Sequence, residues 1–213
     1  MERIDLIKNS LDKLAYKKQP HFIGSWNIKN DDLCKQIINF FEENKILQKK
    51  GSTGKGVDET IKKTTDILIS PIDLKNDEFK CFNNYMHELH KCFIDYQHQW
   101  PFMKKIIKTL DIRSFNVQKY LAGGHYSSIH TERFNFQYSD RLFAWMTYLN
   151  NVEEGGETNF SHYGIRVKPE IGKTLIWPAE WTHAHNGGIV NSGEKYIITG
   201  WMNFTQSVEK EKN

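Results

Sequence analysis

From Asp111 onward the chain is written as short β-branched and aromatic runs separated by turn residues, and this alternation restricts the fold more than any other feature. Residues 114–120, 126–132, 142–149, 164–168, 174–177 and 195–203 each read as a strand. Glu154-Gly155-Gly156-Glu157 and Pro169-Glu170-Ile171-Gly172 supply tight turns between them. The preceding sequence has a different period. Leu33, Ile37, Phe40 and Phe41 recur at helical spacing over 30–44, with Asn30, Asp31 or Asp32 available as the cap. Phe79, Phe82, Met86, Leu89 and Phe93 form a second stripe over 77–96, and Pro101 opens a short third helix over 102–110. Helices followed by many short strands predict an α+β fold: a double-stranded β-helix of the jelly-roll or cupin-like kind, buttressed on one side by N-terminal helices.

At 213 residues the chain suffices for one well-buried domain and is short for two. No repeat, low-complexity block or Pro/Gly/Ser linker divides it. A single domain over 1–213 is therefore expected, with 1–110 as helical support and 111–204 as the jelly-roll core. The formal net charge of +3 is spread along the sequence, too mild a bias to predict a nucleic-acid partner. No stretch approaches the roughly 18 apolar residues that a membrane helix needs. Residues 1–5 carry no apolar run, so no signal peptide is expected. Cys34, Cys81 and Cys92 are odd in number and lack a C-x-x-C pair, which predicts free thiols in a reducing cytoplasm.

His130-Thr131-Glu132 carries little by itself. With 9 His and 26 Asp+Glu in 213 residues, about one H-x-[DE] arises by chance. The strand context changes its weight, because side chains at i and i+2 project from one face. His130 and Glu132 would then both point into the mouth of the barrel, and a later strand would add His183 or His185. Two histidines and a carboxylate on one face of a metal leave its other positions open, as in non-haem Fe(II) oxygenases. Lys195 opens a β-prone segment ten residues after His185. If it points inward, alternation turns Ile197, Thr199 and Trp201 inward too. A buried lysine needs an anionic partner, and no acidic residue of that strand has matching parity. A ligand carboxylate is the natural counter-ion; the plainer alternative is a lysine at an exposed strand start.

Residues from about 112 to 204 resemble the catalytic domain of the prolyl 4-hydroxylase-like Fe(II)/2-oxoglutarate-dependent oxygenases. The family's proximal H-x-D stands here as His130-Thr131-Glu132. Its distal H-x-G-x-P-V-x-x-G-x-K-[YW] is His185-Asn186-Gly187-Gly188-Ile189-Val190-Asn191-Ser192-Gly193-Glu194-Lys195-Tyr196. That match selects His185 over His183, since only His185 keeps the interval to Lys195. Its Y-L-x-x-V-x-x-G-G-E-T runs from Tyr148-Leu149 to Gly155-Gly156-Glu157-Thr158, and its Y-x-x-G is Tyr120-Leu121-Ala122-Gly123. The likeness covers a little under half the chain, and the combined motifs are highly specific. Two positions depart from the pattern: Glu132 replaces aspartate, and Ile189 replaces proline.

The resemblance implies that His130, Glu132 and His185 hold Fe(II) as the catalytic centre, with 2-oxoglutarate and O2 at the remaining positions. The far carboxylate of 2-oxoglutarate would pair with Lys195 and accept hydrogen bonds from Tyr148 and Thr199. Tyr120 would stand beside the cosubstrate, and Trp201 would line the same pocket. The implied reaction is hydroxylation of an unactivated C–H bond, on prolyl residues of a peptide or protein, coupled to decarboxylation of 2-oxoglutarate to succinate. Ascorbate is a candidate reductant. One alternative keeps the chemistry and takes a free amino acid or small metabolite; another is a silent jelly-roll module that binds a metal or carboxylate ligand. Halogenation is disfavoured because Glu132 fills the position chloride would need. Neither a nucleic acid nor a membrane is expected as a partner, and the residues do not indicate an oligomeric state.

Other signals carry less. Gly51-Ser52-Thr53-Gly54-Lys55-Gly56 fails the phosphate-loop pattern G-x-x-x-x-G-K-[ST], because Gly56 stands where Ser or Thr belongs. It reads as a mobile loop that would suit a lid. His87 and His90 read as a solvated helix face. Trp177 and Trp181 suit either a substrate groove or core packing. Arg133 and Arg141 would reach a substrate carboxylate or peptide backbone.

Overall fold

The computed structural model describes residues 1–3, 20–107 and 109–205. In chain order the strands are β1 (Glu2–Arg3), β2 (Gly24–Asn27), β3 (Lys49–Lys50), β4 (Lys62–Lys63), β5 (Thr65–Ile69), β6 (Leu110–Ile112) and β7 (Phe115–Tyr120). They continue as β8 (His125–His130), β9 (Arg141–Tyr148), β10 (Thr158–Phe160), β11 (Ile165–Val167), β12 (Lys173–Pro178), β13 (His185–Gly187) and β14 (Lys195–Phe204). The helices are α1 (Asp31–Glu43), α2 (Lys80–Gln99) and the single turn α3 (Met103–Ile106). Among the described residues the larger sheet runs β1-β2-β12-β9-β14-β7-β5-β3, with β6 also on β14, and the smaller runs β11-β10-β13-β8-β4. Every pairing is antiparallel.

Strand alternation divides the side chains of the larger sheet between two cores. Ala144, Met146 and Tyr148 of β9 join Ile197 of β14, Leu175 and Trp177 of β12, and Phe160 and Val167 of the smaller sheet in one cluster between the sheets. Phe143, Trp145, Tyr196, Ile198 and Met202 face the other way, onto the helices. α1 begins where Asn30 Oδ1 accepts the Leu33 amide at 3.2 Å, and it buries Leu33, Cys34, Ile37, Phe40 and Phe41. α2 buries Phe82, Tyr85, Leu89, Cys92 and Tyr96 on the same cluster. A buried chain of hydroxyls, Tyr85 to Thr147 at 2.7 Å and Thr147 to Thr174 at 2.7 Å, ties α2 through β9 to β12. This is the α+β double-stranded β-helix with bracing helices.

The N-terminal region does more than the helical support expected over 1–110. β2 pairs with β12, β5 with β7, and β4 with β8, so this region extends both sheets. β2 (Gly-Ser-Trp-Asn) and β4 (Lys-Lys) are short and low in strand propensity, and tertiary pairing makes them. The third helix is one turn over Met103–Ile106; Leu110–Ile112 pairs with β14 instead, and Lys108 lies outside the described residues. Around residues 51–56 the chain closes a small turn, with Thr53 and Gly56 bonded both ways at 2.9 Å.

Candidate active site

The two histidines are placed by one backbone pairing: His185 of β13 lies opposite His130, the last residue of β8. Glu132 stands two residues past the end of that strand. The expected strand over 126–132 is thus shorter, and strand parity alone does not aim the carboxylate. The turn beyond His130 is pinned instead. Thr131 Oγ1 and the Arg133 amide both donate to the Ala179 carbonyl, at 2.9 and 3.0 Å, and Arg133 pairs with Glu180 at 2.6 Å. Between these anchors the Glu132 side chain turns to the imidazoles.

Glu132 Oε1 lies 3.3 Å from His185 Nε2 and 3.7 Å from His130 Nε2, and one donor atom from each residue falls within 4.8 Å of the others. No other His, Cys, Asp or Glu trio among the described residues gathers in this way. The other ring nitrogens are committed: His130 Nδ1 meets the Ser128 carbonyl at 2.9 Å, and His185 Nδ1 meets the His183 carbonyl at 2.8 Å. A carbonyl accepts only from N–H, which puts a proton on Nδ1 and turns each Nε2 toward the carboxylate. Burial and the neighbouring His185 push His130 down to about 4, so it is neutral at physiological pH. Burial by itself would raise Glu132, but its surroundings, His185 and His130 on one side and the Trp201 N–H on the other, bring it down to about 2. An Nε2 atom from each imidazole and one carboxylate oxygen are the donor set such a centre requires, so the residues fit a divalent cation.

The rings are held by packing. Tyr126 stacks on His130 with centroids 3.9 Å apart and planes 13° from parallel, while Phe160 and Trp177 flank His185. His183 points elsewhere, its Nε2 on the His21 carbonyl at 2.8 Å and its Nδ1 beside Thr182 Oγ1. Both its nitrogens are engaged.

Lys195 is 2% exposed at the start of β14. Its ammonium donates to the Gly156 carbonyl at 2.9 Å and lies 4.0 Å from the centroid of the Tyr120 ring. Gly155 and Gly156 adopt φ of +81° and +73°, values that suit glycine, and that turn presents the carbonyl. No carboxylate lies within ion-pair distance among the described residues, and burial brings Lys195 down to about 7 against a weak opposing pull from Glu157. A desolvated ammonium with one neutral partner suits an anion.

The remaining predicted residues are placed as follows. Tyr120 donates to Gln118 Oε1 at 2.8 Å, while its ring lies beside Lys195. The Tyr148 hydroxyl sits at 2.6 Å from Thr158 Oγ1 and 3.1 Å from the Val167 carbonyl, and it accepts the Thr158 amide. Thr199 donates to the Trp145 carbonyl at 2.8 Å. Both hydroxyl protons are therefore engaged within the protein, and donation to a ligand carboxylate requires Tyr148 and Thr199 to exchange those partners. Trp201 differs most from expectation. Its indole N–H donates to Glu132 Oε2 at 2.7 Å, which places it at the carboxylate. Arg141, expected to reach substrate, donates to the Glu132 carbonyl at 3.0 Å and stacks 3.6 Å from the Trp201 ring centroid.

Residues 115–203 match the sequence profile of the 2OG-Fe(II) oxygenase superfamily. Two curated relatives from Arabidopsis thaliana agree: probable prolyl 4-hydroxylase 9, 30% identical over a region covering 42% of this chain and 40% of the relative, and prolyl 4-hydroxylase 13, 28% identical over 42% of each. The chain thus spans about two-fifths of the length of these relatives. Solved structures share the fold over far more of the chain. The viral collagen prolyl hydroxylase of Paramecium bursaria chlorella virus-1, in its 2OG complex, superposes with a TM-score of 0.64 at 18% identity, covering 89% of this chain and 98% of that one. A Pseudomonas putida prolyl-4-hydroxylase gives 0.66 at 17% identity, covering 86% and 93%. A Trichoplax adhaerens prolyl hydroxylase, solved with a hypoxia inducible factor peptide fragment, gives 0.66 at 13% identity, covering 86% and 84%. Over residues 115–203 the chain is thus similar to the 2OG-Fe(II) oxygenases, and the solved prolyl hydroxylases share its fold.

Proposed function

We propose that this chain is an Fe(II)- and 2-oxoglutarate-dependent dioxygenase that hydroxylates prolyl residues of a peptide or protein. The observation that carries the reading is the convergence of three donors, His130, Glu132 and His185, in the same domain as a buried ammonium, Lys195, that has no carboxylate partner among the described residues. Fe(II), 2-oxoglutarate and O2 bound there would supply the oxidation, one oxygen atom going to succinate and the other to the substrate, with release of CO2.

The chain's own residues bind and aim. His130 Nε2, His185 Nε2 and Glu132 Oε1 are the metal donors, and the carbonyls of Ser128 and His183 fix the tautomers that expose them. Lys195 takes the far carboxylate of 2-oxoglutarate, and the apolar face of Tyr120 helps keep water from that contact. Tyr148 and Thr199 stand as further polar contacts once their present partners exchange. Ascorbate is the proposed reductant for iron.

A polypeptide substrate suits the rim. Phe134 follows Glu132 by two residues and is 57% exposed, Phe136 is 94% exposed, and Trp181, four residues before His185, is 68% exposed. Flat exposed rings beside a metal site suit the extended conformation of proline-containing chains. A reducing, cytoplasmic setting is proposed from the three free thiols. The test is succinate release, coupled to the gain of one oxygen atom by mass spectrometry, over proline-containing peptides and a matched set of free amino acids. Oxygen on peptidyl proline supports the reading. Turnover confined to free amino acids replaces the substrate, and no turnover with intact metal binding points to a silent module.

A further inference from the structure

We infer that Trp201 and Arg141 are positioning residues for Glu132, holding the longer carboxylate so that a single oxygen, Oε1, faces the imidazoles. The inference rests on the metal-centre reading above and adds to it the reason a glutamate serves at this position.

Glutamate is one methylene longer than aspartate. It has more rotamer freedom to lose on being fixed, and its carboxylate can swing to present either oxygen or both. The structure removes that freedom from one side. Trp201 Nε1 donates to Oε2 at 2.7 Å, while Oε1 stays 3.3 Å from His185 Nε2 and 3.7 Å from His130 Nε2. The two oxygens thus have different duties. One lone-pair set faces the indole, and the other faces the space between the imidazoles.

Arg141 fixes the same residue from its main chain. Nη1 donates to the Glu132 carbonyl at 3.0 Å and lies 3.8 Å from Oε2. The guanidinium is sandwiched between aromatic rings, 4.0 Å from the Tyr138 centroid and 3.6 Å from that of Trp201. Its arrival there depends on a β-bulge. β14 pairs Met202 with Phe143 and then Asn203 with Arg141, which leaves Leu142 as an extra residue on β9. Unbroken alternation would put Arg141 with Phe143 and Trp145, facing the helices. The bulge sends Leu142 to the helix-side cluster and brings Arg141 to the face that carries Trp201.

The test is a metal-affinity cycle on the full chain, with Co(II) as the probe and thermal melting as the fold control. Trp201→Phe keeps the ring and loses only the N–H; it should weaken Co(II) binding about tenfold, as for other groups that orient a ligand. Glu132→Asp draws the carboxylate back from the indole and should also weaken binding. In that background Trp201→Phe should cost less than about twofold, because the bond it removes is already gone. The Co(II) visible spectrum should change in Trp201→Phe, since a freed carboxylate can offer both oxygens. Wild-type affinity and spectrum in Trp201→Phe, or losses that simply add in the double variant, would overturn the inference. If Trp201→Phe does not fold, Arg141→Met carries the test: weakening by about threefold or more supports it, and unchanged affinity overturns it. A wild-type chain that fails to bind Co(II) sinks the metal-centre reading itself, a result distinct from either.

Discussion

His130 and His185 face each other across β8 and β13, with ring centroids 4.4 Å apart, so a single backbone pairing sets the spacing of both imidazoles. The carboxylate is added from outside that ladder, by a turn anchored on Ala179 and Glu180. The centre therefore has two histidines on rigid strands and one glutamate on a braced turn. That division governs how each residue responds to substitution.

His185→Ala and Glu132→Ala should each abolish metal binding and turnover, because each removes a donor atom. His183→Ala should retain both, as its nitrogens serve the His21 carbonyl and Thr182. Its cost falls on stability, about 0.5–1.5 kcal/mol, from the hydrogen bonds the imidazole loses. Co(II) titration and thermal melting of the three variants separate these effects. Loss of metal binding in His183→Ala alone would reverse the assignment.

Replacing Lys195 by Met should raise the half-saturating concentration of 2-oxoglutarate by roughly a hundredfold or more, since a buried charge pair is lost. Because a lone ammonium is costly to bury, the same variant should melt at a higher temperature without ligand, a gain of about 1–4 kcal/mol. Opposite signs in the two measurements are the expected signature. A lower melting temperature with unchanged 2-oxoglutarate dependence would place Lys195 in a purely structural role.

Lys195 also predicts a pH dependence. Burial brings it down to about 7, so the ligand-free lysine is neutral above that pH while the bound form is charged. Binding of 2-oxoglutarate at pH 8 should then take up a proton, and affinity should fall by up to about tenfold per pH unit above 7. Between 7 and the ordinary lysine value the unfolded chain binds more protons than the folded one. The Lys195 contribution to ligand-free stability therefore rises with pH across that window. Calorimetry in two buffers of different ionisation enthalpy measures the uptake. A heat independent of buffer would contradict the prediction.

Tyr85→Phe should cost about 1–2 kcal/mol by breaking the buried hydroxyl chain to Thr147 and Thr174. Metal affinity should be unchanged, since that chain lies on the helix side of the larger sheet. Urea melts and Co(II) titration report the two quantities independently.

Much of this was legible in the sequence because the informative residues obey strict periods. The stripes of α1 and α2 lie close to where helical spacing puts them, and β7, β9, β12 and β14 are long enough to show their alternation. What escaped was short or irregular. β4, β10 and β13 are two or three residues long and exist only through their partners. Glu132 reads as a strand residue two places from His130, yet the strand stops first and side chain–backbone bonds aim it. Arg141 is hidden for a sharper reason: the bulge at Leu142 reverses its parity, and a bulge without glycine leaves no mark in the residue pattern. Trp201 does have the parity of Lys195, so its side of the sheet was readable, but its bond to Glu132 depends on a contact between the larger sheet and the turn after β8.

The most direct test of the account is an anaerobic titration of the metal-free protein with Fe(II) and 2-oxoglutarate, following the weak visible charge-transfer band that forms when both bind at one centre. The account predicts that the band appears in the wild type, is lost in His185→Ala, and in Lys195→Met returns only at much higher 2-oxoglutarate. Iron binding without the band, or a band indifferent to both substitutions, would contradict it.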